Sequence, residues 1–322
     1  MKRLQDPAFW LPALLILALG LWPILTSDAA RRELVFSLLM AVILASSLNI
    51  LLGYTGYVSF GHVVFFGIGG YIGMYVMKVL GWHLGLAVLA GGFSAGLVAF
   101  LLGSAILRLK GAYFALATIG INEAARAFTN AFQPFGGPIG MTLNFHVYDA
   151  YGGAGTALWI TFYATVVLAL LVIFASSWIK DSKFGLGLMS IRENEGAAEV
   201  MGVNAPSHKT WAFVASAVFP GILGALFFFK NANIEPGDAF QLQRSIEMIV
   251  MVMLGGLGTV LGPVVGGAGY NGLRGFLIVN PLFKNIQLAV AGTLLLLIVL
   301  FVPSGVVGWL RESIRPLRSL LE

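Results

Sequence analysis

The sequence predicts an all-α polytopic membrane protein with about ten transmembrane helices, some broken or re-entrant, and one coupling helix on the cytoplasmic side. Three observations carry this prediction. Hydrophobic residues make up 58% of the 322-residue chain and charged residues only 10%, against roughly a quarter charged in soluble domains. Apolar runs of about 20 residues, enough to cross a bilayer, recur along the chain. A single long polar interruption, Lys180 to Lys209, divides them. The chain reads as one transmembrane domain over residues 1–322, with residues 180–209 as its cytoplasmic segment. Cysteine is absent, which excludes disulfides and thiolate metal sites. The net charge of +5 is a matter of which loops carry Lys and Arg, and implies no nucleic-acid binding.

The elements follow in order. Phe9 to Thr26 follows Lys2 and Arg3, exceeds a signal-peptide core and lacks an A-x-A site, so it is expected to stay as a first helix with the N-terminus cytoplasmic. Arg31 and Arg32 then fall on the external side, against the positive-inside rule. Leu34 to Leu52 is a second span. It runs into Leu51 to Met77, whose glycines predict a broken or tightly packed third helix. Leu84 to Leu107 is a fourth span, closed by Arg108 and Lys110. Gly111 to Phe132 carries Glu123 and Arg126 three residues apart, on one helical face. Two readings stay open for that pair: groups flanking a solute path, or an ion pair near the outer interface.

Gln133 to Gly155 is an external polar loop, Thr156 to Trp178 a sixth span and Trp211 to Phe229 a seventh. Lys230 to Arg244 is expected outside. Ser245 to Val279 is long enough for two spans but is punctured by LGGLGTVLGPVVGGAGYNG, which predicts two short half-spans or a re-entrant pair. Ile286 to Phe301 is the last span. This topology places Lys2, Arg3, Arg108, Lys110, Lys180, Lys183, Arg192, Lys209, Arg311, Arg315 and Arg318 inside.

Within the polar interruption, Ser190 and Glu193 have capping-box spacing and Gly202 suits a left-handed C-terminal position. The expected helix therefore runs about Ile191 to Met201. Ile191, Asn194, Ala198 and Met201 would share one weakly apolar face, with Arg192, Glu195 and Glu199 elsewhere. Such a helix either grips a groove on a soluble partner or is a solvated connector, and its own physics leaves both open.

The two glycine-broken segments echo each other. Gly53-x-x-Gly56-x-Val58 with Gly61-His62-Val63-Val64 matches Gly255-x-x-Gly258-x-Val260 with Gly262-Pro263-Val264-Val265 after a one-residue gap. Paired interrupted segments of this kind mark solute paths in secondary transporters, which makes Gly53, Gly56, Ser59, His62, Gly255, Gly258 and Gly262 path candidates beside Glu123 and Arg126. Chance similarity between two glycine-rich helices is the competing account, and His62 alone suits a packing role. Ser59 lacks a nucleophile elbow, since Tyr57 stands where G-x-S-x-G needs glycine. No phosphate-loop motif occurs, and no acidic series runs through the spans. A pump of this composition needs a motor supplied by another chain.

FGLGLMSIRENEGAAEVMGVN, SLNILLGYTGYVSFGHVVFFGIGGY, RLKGAYFALATIGINEAARAF, FGGPIGM and MVMLGGLGTVLGPVVGGA together resemble the LivM-type permeases of branched-chain amino-acid ABC importers, over roughly Ser47 to Gly267. The departures lie in the termini and around Phe135 and Pro138. The resemblance implies a non-catalytic permease in a bacterial or archaeal cytoplasmic membrane. It would pair with a LivH-like permease, LivG-like and LivF-like ATPases that use ATP and Mg, and a periplasmic or extracellular solute-binding protein. This chain would itself bind no cofactor. The family's coupling region falls on Ser190, Ile191, Arg192, Glu193, Asn194, Glu195, Ala198, Met201 and Gly202. Urea, short amides and aromatic acids stay open as cargo of related permeases, and a passive channel or ion-coupled carrier is the rival class.

Overall fold

The computed structural model describes residues 7–26, 28–279 and 305–313, with isolated positions 289, 290, 292, 293 and 296. These residues are almost wholly helical, as an all-α polytopic membrane protein requires. Among the described residues, five helices are long and apolar enough to cross a membrane: α2 (Ala29–Thr55), α3 (Val63–Leu80), α4 (Leu84–Ile106), α6 (Ala154–Lys180) and α9 (Ala205–Asn231). The first helix, α1 (Pro7–Thr26), has a shorter apolar stretch, Trp10–Pro23. Helix α5 (Ala112–Ala131) matches the expected fifth element and is more polar. The expected last span, Ile286 to Phe301, lies outside the continuously described residues.

Helix α2 is the axis of the bundle. Every residue from Ala41 to Thr55 is buried, and a helix that is apolar all round must be enclosed on all sides. Helices α6 and α9 pack on it, together with α11 (Leu242–Gly255) and α12 (Gly262–Val279). A second layer forms where α3, α4 and α9 cross. There a Cβ on Gly69 would lie 2.1 Å from the carbonyl oxygen of Gly221, so only glycine lets the two backbones meet.

Both glycine-rich segments are broken, as their composition predicts. Helix α2 stops at Gly56, whose φ of 77° is left-handed and whose amide caps the Leu52 carbonyl. Residues 56–62 then run irregularly inward, and α3 starts inside the bundle. His62 Nε2 is 3.2 Å from the Ser216 carbonyl, near the middle of α9, and the Val63 amide donates to Ser245 Oγ at 3.0 Å.

The stretch from Lys230 to Arg244 is a surface loop only in part. Strand β2 (Asn233–Ile234) pairs antiparallel with β1 (Met141–Thr142), and the short α10 (Pro236–Ala239) follows it. Beyond that the chain turns into the bundle: Asn122 Nδ2 donates to the Phe240 carbonyl at 2.9 Å, and the Arg244 guanidinium sits 4.8 Å from the Phe66 ring centre. Apolar burial explains the difference, because Ala239 and Phe240 are buried against α3 and draw the chain with them. Helix α11 therefore begins within the protein beside α3, and α12 leads back from the break at residues 256–261.

The loop between α5 and α6 straps one end of the bundle. Tyr148 donates to the Phe229 carbonyl at 2.6 Å, and Tyr151 accepts from the Leu84 amide at 2.7 Å. Lys230 pairs with Glu33 at the same end. The opposite end gathers Tyr57, Leu107, Lys110 and the polar interruption. The final described helix, α13 (Gly305–Ser313), packs against α11 and α12.

Candidate functional site

The polar interruption folds as two short helices rather than the single helix expected from Ile191 to Met201. The first, α7 (Lys183–Glu193), starts eight residues earlier, capped by Ser182, whose side chain accepts from the Gly185 amide. Its buried residues Gly185, Gly187, Leu188 and Ile191 lie against the bundle, and this packing extends a helix too short to form alone. Ser190 is therefore mid-helix, and its hydroxyl donates to the Gly187 carbonyl at 2.8 Å instead of capping. Asn194 breaks the run: it leaves helical geometry and its side chain accepts from the Ala197 amide, capping α8 (Glu195–Val200). Gly202 follows with φ of 90°, the left-handed position its identity predicts.

The expected shared face is divided between inside and outside. Ile191 and Ala198 are buried in a small cluster with Ala205. Val200 and Met201 point the other way, 88% and 84% exposed. Glu193 and Asn194 are exposed as well.

Two charged residues anchor the segment. Arg192 Nη1 donates to the Gly53 carbonyl at 2.7 Å, an acceptor left open by the end of α2. Glu195 meets Lys209 at 2.8 Å and Lys110 at 3.2 Å. Burial alone would raise the Glu195 pKa, but hydrogen bonds from Lys209 and Lys110 outweigh it and hold the carboxyl below its ordinary value. A cavity of about 500 Å³ opens here, walled by Gly56, Tyr57, Phe114, Ile191, Arg192 and Glu195.

The path candidates separate into three places. Gly53 and Gly258 meet: a Cβ on Gly53 would lie 2.7 Å from the Gly258 amide nitrogen. Gly255 and Gly262 meet likewise, a Cβ on Gly255 falling 1.8 Å from the Gly262 carbonyl oxygen. Gly56 is the α2 cap. Asn49, which pattern reading missed, locks the seam: its Oδ1 accepts from the Gly258 amide at 3.0 Å and its Nδ2 donates to the Thr259 carbonyl at 2.9 Å. A lone amide in the apolar run Leu34 to Leu52 was the available signal.

Ser59 and His62 are buried elsewhere, near α5 and α9, with Ser59 Oγ and His62 Nδ1 unpartnered. Glu123 and Arg126 form an ion pair of 2.8 Å on the open side of α5, each about half exposed. Another pair that the sequence left unmarked joins α11 to α12, where Arg274 meets Glu247 at 3.2 Å. Between α3, α4 and α5 lies an apolar cavity of about 440 Å³, lined by residues including Val64, Ile68, Ile121, Phe128 and Phe240.

Comparison with known proteins matches this chain to one family. The family model described as branched-chain amino acid transport system / permease component matches residues 32–299. The high-affinity branched-chain amino acid transport system permease protein LivM of Escherichia coli K12 is 25% identical, over 98% of this chain and 81% of its own. BraD of Pseudomonas aeruginosa, also a permease protein of such a system, is 27% identical over 44% of this chain and 46% of its own. A probable LivH permease protein of Methanocaldococcus jannaschii is 28% identical over 34% and 33%. No solved structure matches the chain. With its broken spans, central α2 and match over most of its length, this chain belongs to the permease-component family of branched-chain amino acid transport systems.

Proposed function

We propose that the chain is the permease subunit of an ATP-driven importer for branched-chain amino acids, forming half of the translocation path beside a LivH-like permease. LivG-like and LivF-like ATPases on the cytoplasmic side hydrolyse Mg-ATP, and an external binding protein delivers the solute. The observation that carries this reading is the α7–α8 segment. It is anchored inward by Ile191, Ala198, Arg192 and Glu195 while it presents Val200 and Met201 to the outside. Two exposed apolar side chains on an otherwise charged and polar segment suit a protein groove.

Residues Ser190 to Gly202 are thus the docking segment, facing the cytoplasm. The half-exposed Glu123–Arg126 pair on α5 supports the other half of the reading, because charges set beside apolar spanning helices face protein or water rather than lipid. In the transport cycle, closure of the ATPase pair moves the docking segments and tips the bundle between outward-open and inward-open states.

The test is co-purification of the ATPase subunits with the double variant Val200→Asp, Met201→Asp. Capture falls by about tenfold or more, since a central apolar contact is worth roughly 1–2 kcal/mol. Undiminished capture refutes the docking assignment. Uptake that persists without ATP and binding protein establishes the passive channel or carrier instead.

A further inference from the structure

We propose that Glu195 is the joint that transmits movement of the α7–α8 segment into the helices of the transport path, an inference that rests on that segment being the ATPase-docking element. Its carboxylate gathers groups from three other parts of the chain. Oε1 accepts from Lys209 at the start of α9, 2.8 Å away. Oε2 lies 3.2 Å from Lys110, just before α5, and accepts from the Tyr57 hydroxyl, between α2 and α3, at 3.3 Å.

Lys209 closes the network. Its side chain is 3% exposed, and its ammonium also donates to the Tyr57 hydroxyl at 3.0 Å and to the Leu107 carbonyl at the end of α4, at 2.8 Å. All three ammonium donors are therefore used. A buried ammonium cannot be left without its counter-charge except at large cost, so α8 cannot shift without carrying Lys209 or drawing the connecting loops after it.

The contacts that accompany this network are less directional. Ile191, Ala198, Val203 and Ala205 form a small apolar cluster, which tolerates sliding because apolar contact has no preferred bond direction. Arg192 makes a directed bond, but to Gly53 of α2. Glu195 is the residue whose polar contacts lead toward α5, through Tyr57 and Lys110. From Tyr57 the route continues through the edge-on Phe114 ring, 5.1 Å between centres, and through the Phe60 amide, which donates to Thr118 Oγ1 at 3.1 Å. Both acceptors of that motion lie on α5, the helix that carries Glu123 and Arg126.

The complete complex, with both permeases, the ATPases and the binding protein, is reconstituted in proteoliposomes, and leucine taken up per ATP hydrolysed is measured. Glu195→Gln lowers this ratio by about tenfold and Lys110→Met, at the exposed rim, by about two- to threefold. Glu195→Asp recovers part of the loss. Should Glu195→Gln not assemble, Tyr57→Phe removes a single hydroxyl and still lowers the ratio. An unchanged ratio in whichever variant assembles, even with both rates reduced together, makes Glu195 a docking contact only and overturns the proposal. A wild-type complex without ATP-dependent leucine uptake overturns the transport reading itself, and the joint with it.

Discussion

Gly53→Ala is the sharpest probe of the seam between the two broken segments. The added methyl would lie 2.1 Å from Asn49 Oδ1 and 2.7 Å from the Gly258 nitrogen, so the Asn49 side chain must leave. With it go the bonds to the Gly258 amide and the Thr259 carbonyl, each worth about 1 kcal/mol. Pressing the methyl against backbone adds roughly 1–3 kcal/mol. Helix propensity opposes this, alanine being better than glycine by about 1 kcal/mol. The net destabilisation is about 2–4 kcal/mol, a melting-point drop of roughly 3–6 °C for a chain of this size. Thermal unfolding of the purified protein in nanodiscs measures it. Gly120→Ala is the control, because no atom lies within 4 Å of its new Cβ on α5; it gains up to about 1 kcal/mol from propensity. A Gly53→Ala protein that melts at or above the wild type, beside a normal Gly120→Ala, refutes the seam.

Two further expectations concern charge. Breaking the half-exposed Glu123–Arg126 pair with Glu123→Gln shifts stability by no more than about 1 kcal/mol, yet lowers ATP-driven leucine uptake if α5 lines the path; full uptake removes α5 from the path. The depressed Glu195 pKa gives a definite sign to acid sensitivity. Its stabilising contribution is complete above the ordinary value of 4.5 and is lost as pH falls through the lower folded-state value. Hydrogen exchange across residues 194–203, corrected for intrinsic rates, therefore stays slow from neutral pH to about 4.5 and quickens only below it. In Glu195→Gln it is already quick at neutral pH, and identical protection in that variant contradicts the ion-pair account.

The spans were legible because apolar length is a local property. Leu84 to Leu107 and Thr156 to Trp178 coincide with α4 and α6 to within a few residues. The helical character of the polar interruption was legible in the sequence but its division into two helices was not. Ser190 and Glu193 satisfy the spacing of a capping box, but that spacing also occurs inside a helix, and the packing of Leu188 and Ile191 decides the matter. Asn194, an equally good cap, then begins the next turn. Lys209 shows the deeper obstacle. In sequence it is one more loop cation; in the fold it is buried, because Glu195, Tyr57 and Leu107 converge on it from distant positions. Only Glu195 stands close enough in sequence to hint at a partner. The echoed glycines suggested related backbone breaks, but that Gly53 would touch Gly258 depends on α2 and α11 packing together.

The placement of Arg192 links α7 to that seam on physical grounds. The last carbonyls of a helix lack partners within it, and α2 ends at Thr55 with Gly56 satisfying Leu52 alone. The Gly53 carbonyl is therefore open, and a cation at a helix C-terminus is favoured by the helix dipole as well as by the bond. Arg192 supplies that cation, and its Nη1 would also lie 3.2 Å from a Cβ on Gly258. One guanidinium thus touches the end of the central helix and the break between α11 and α12. Withdrawing α7 would uncover a buried carbonyl and loosen the seam together, whereas moving α7 and α2 as one body would keep both. The second course costs less, so α7 and the central helix are expected to move as a unit.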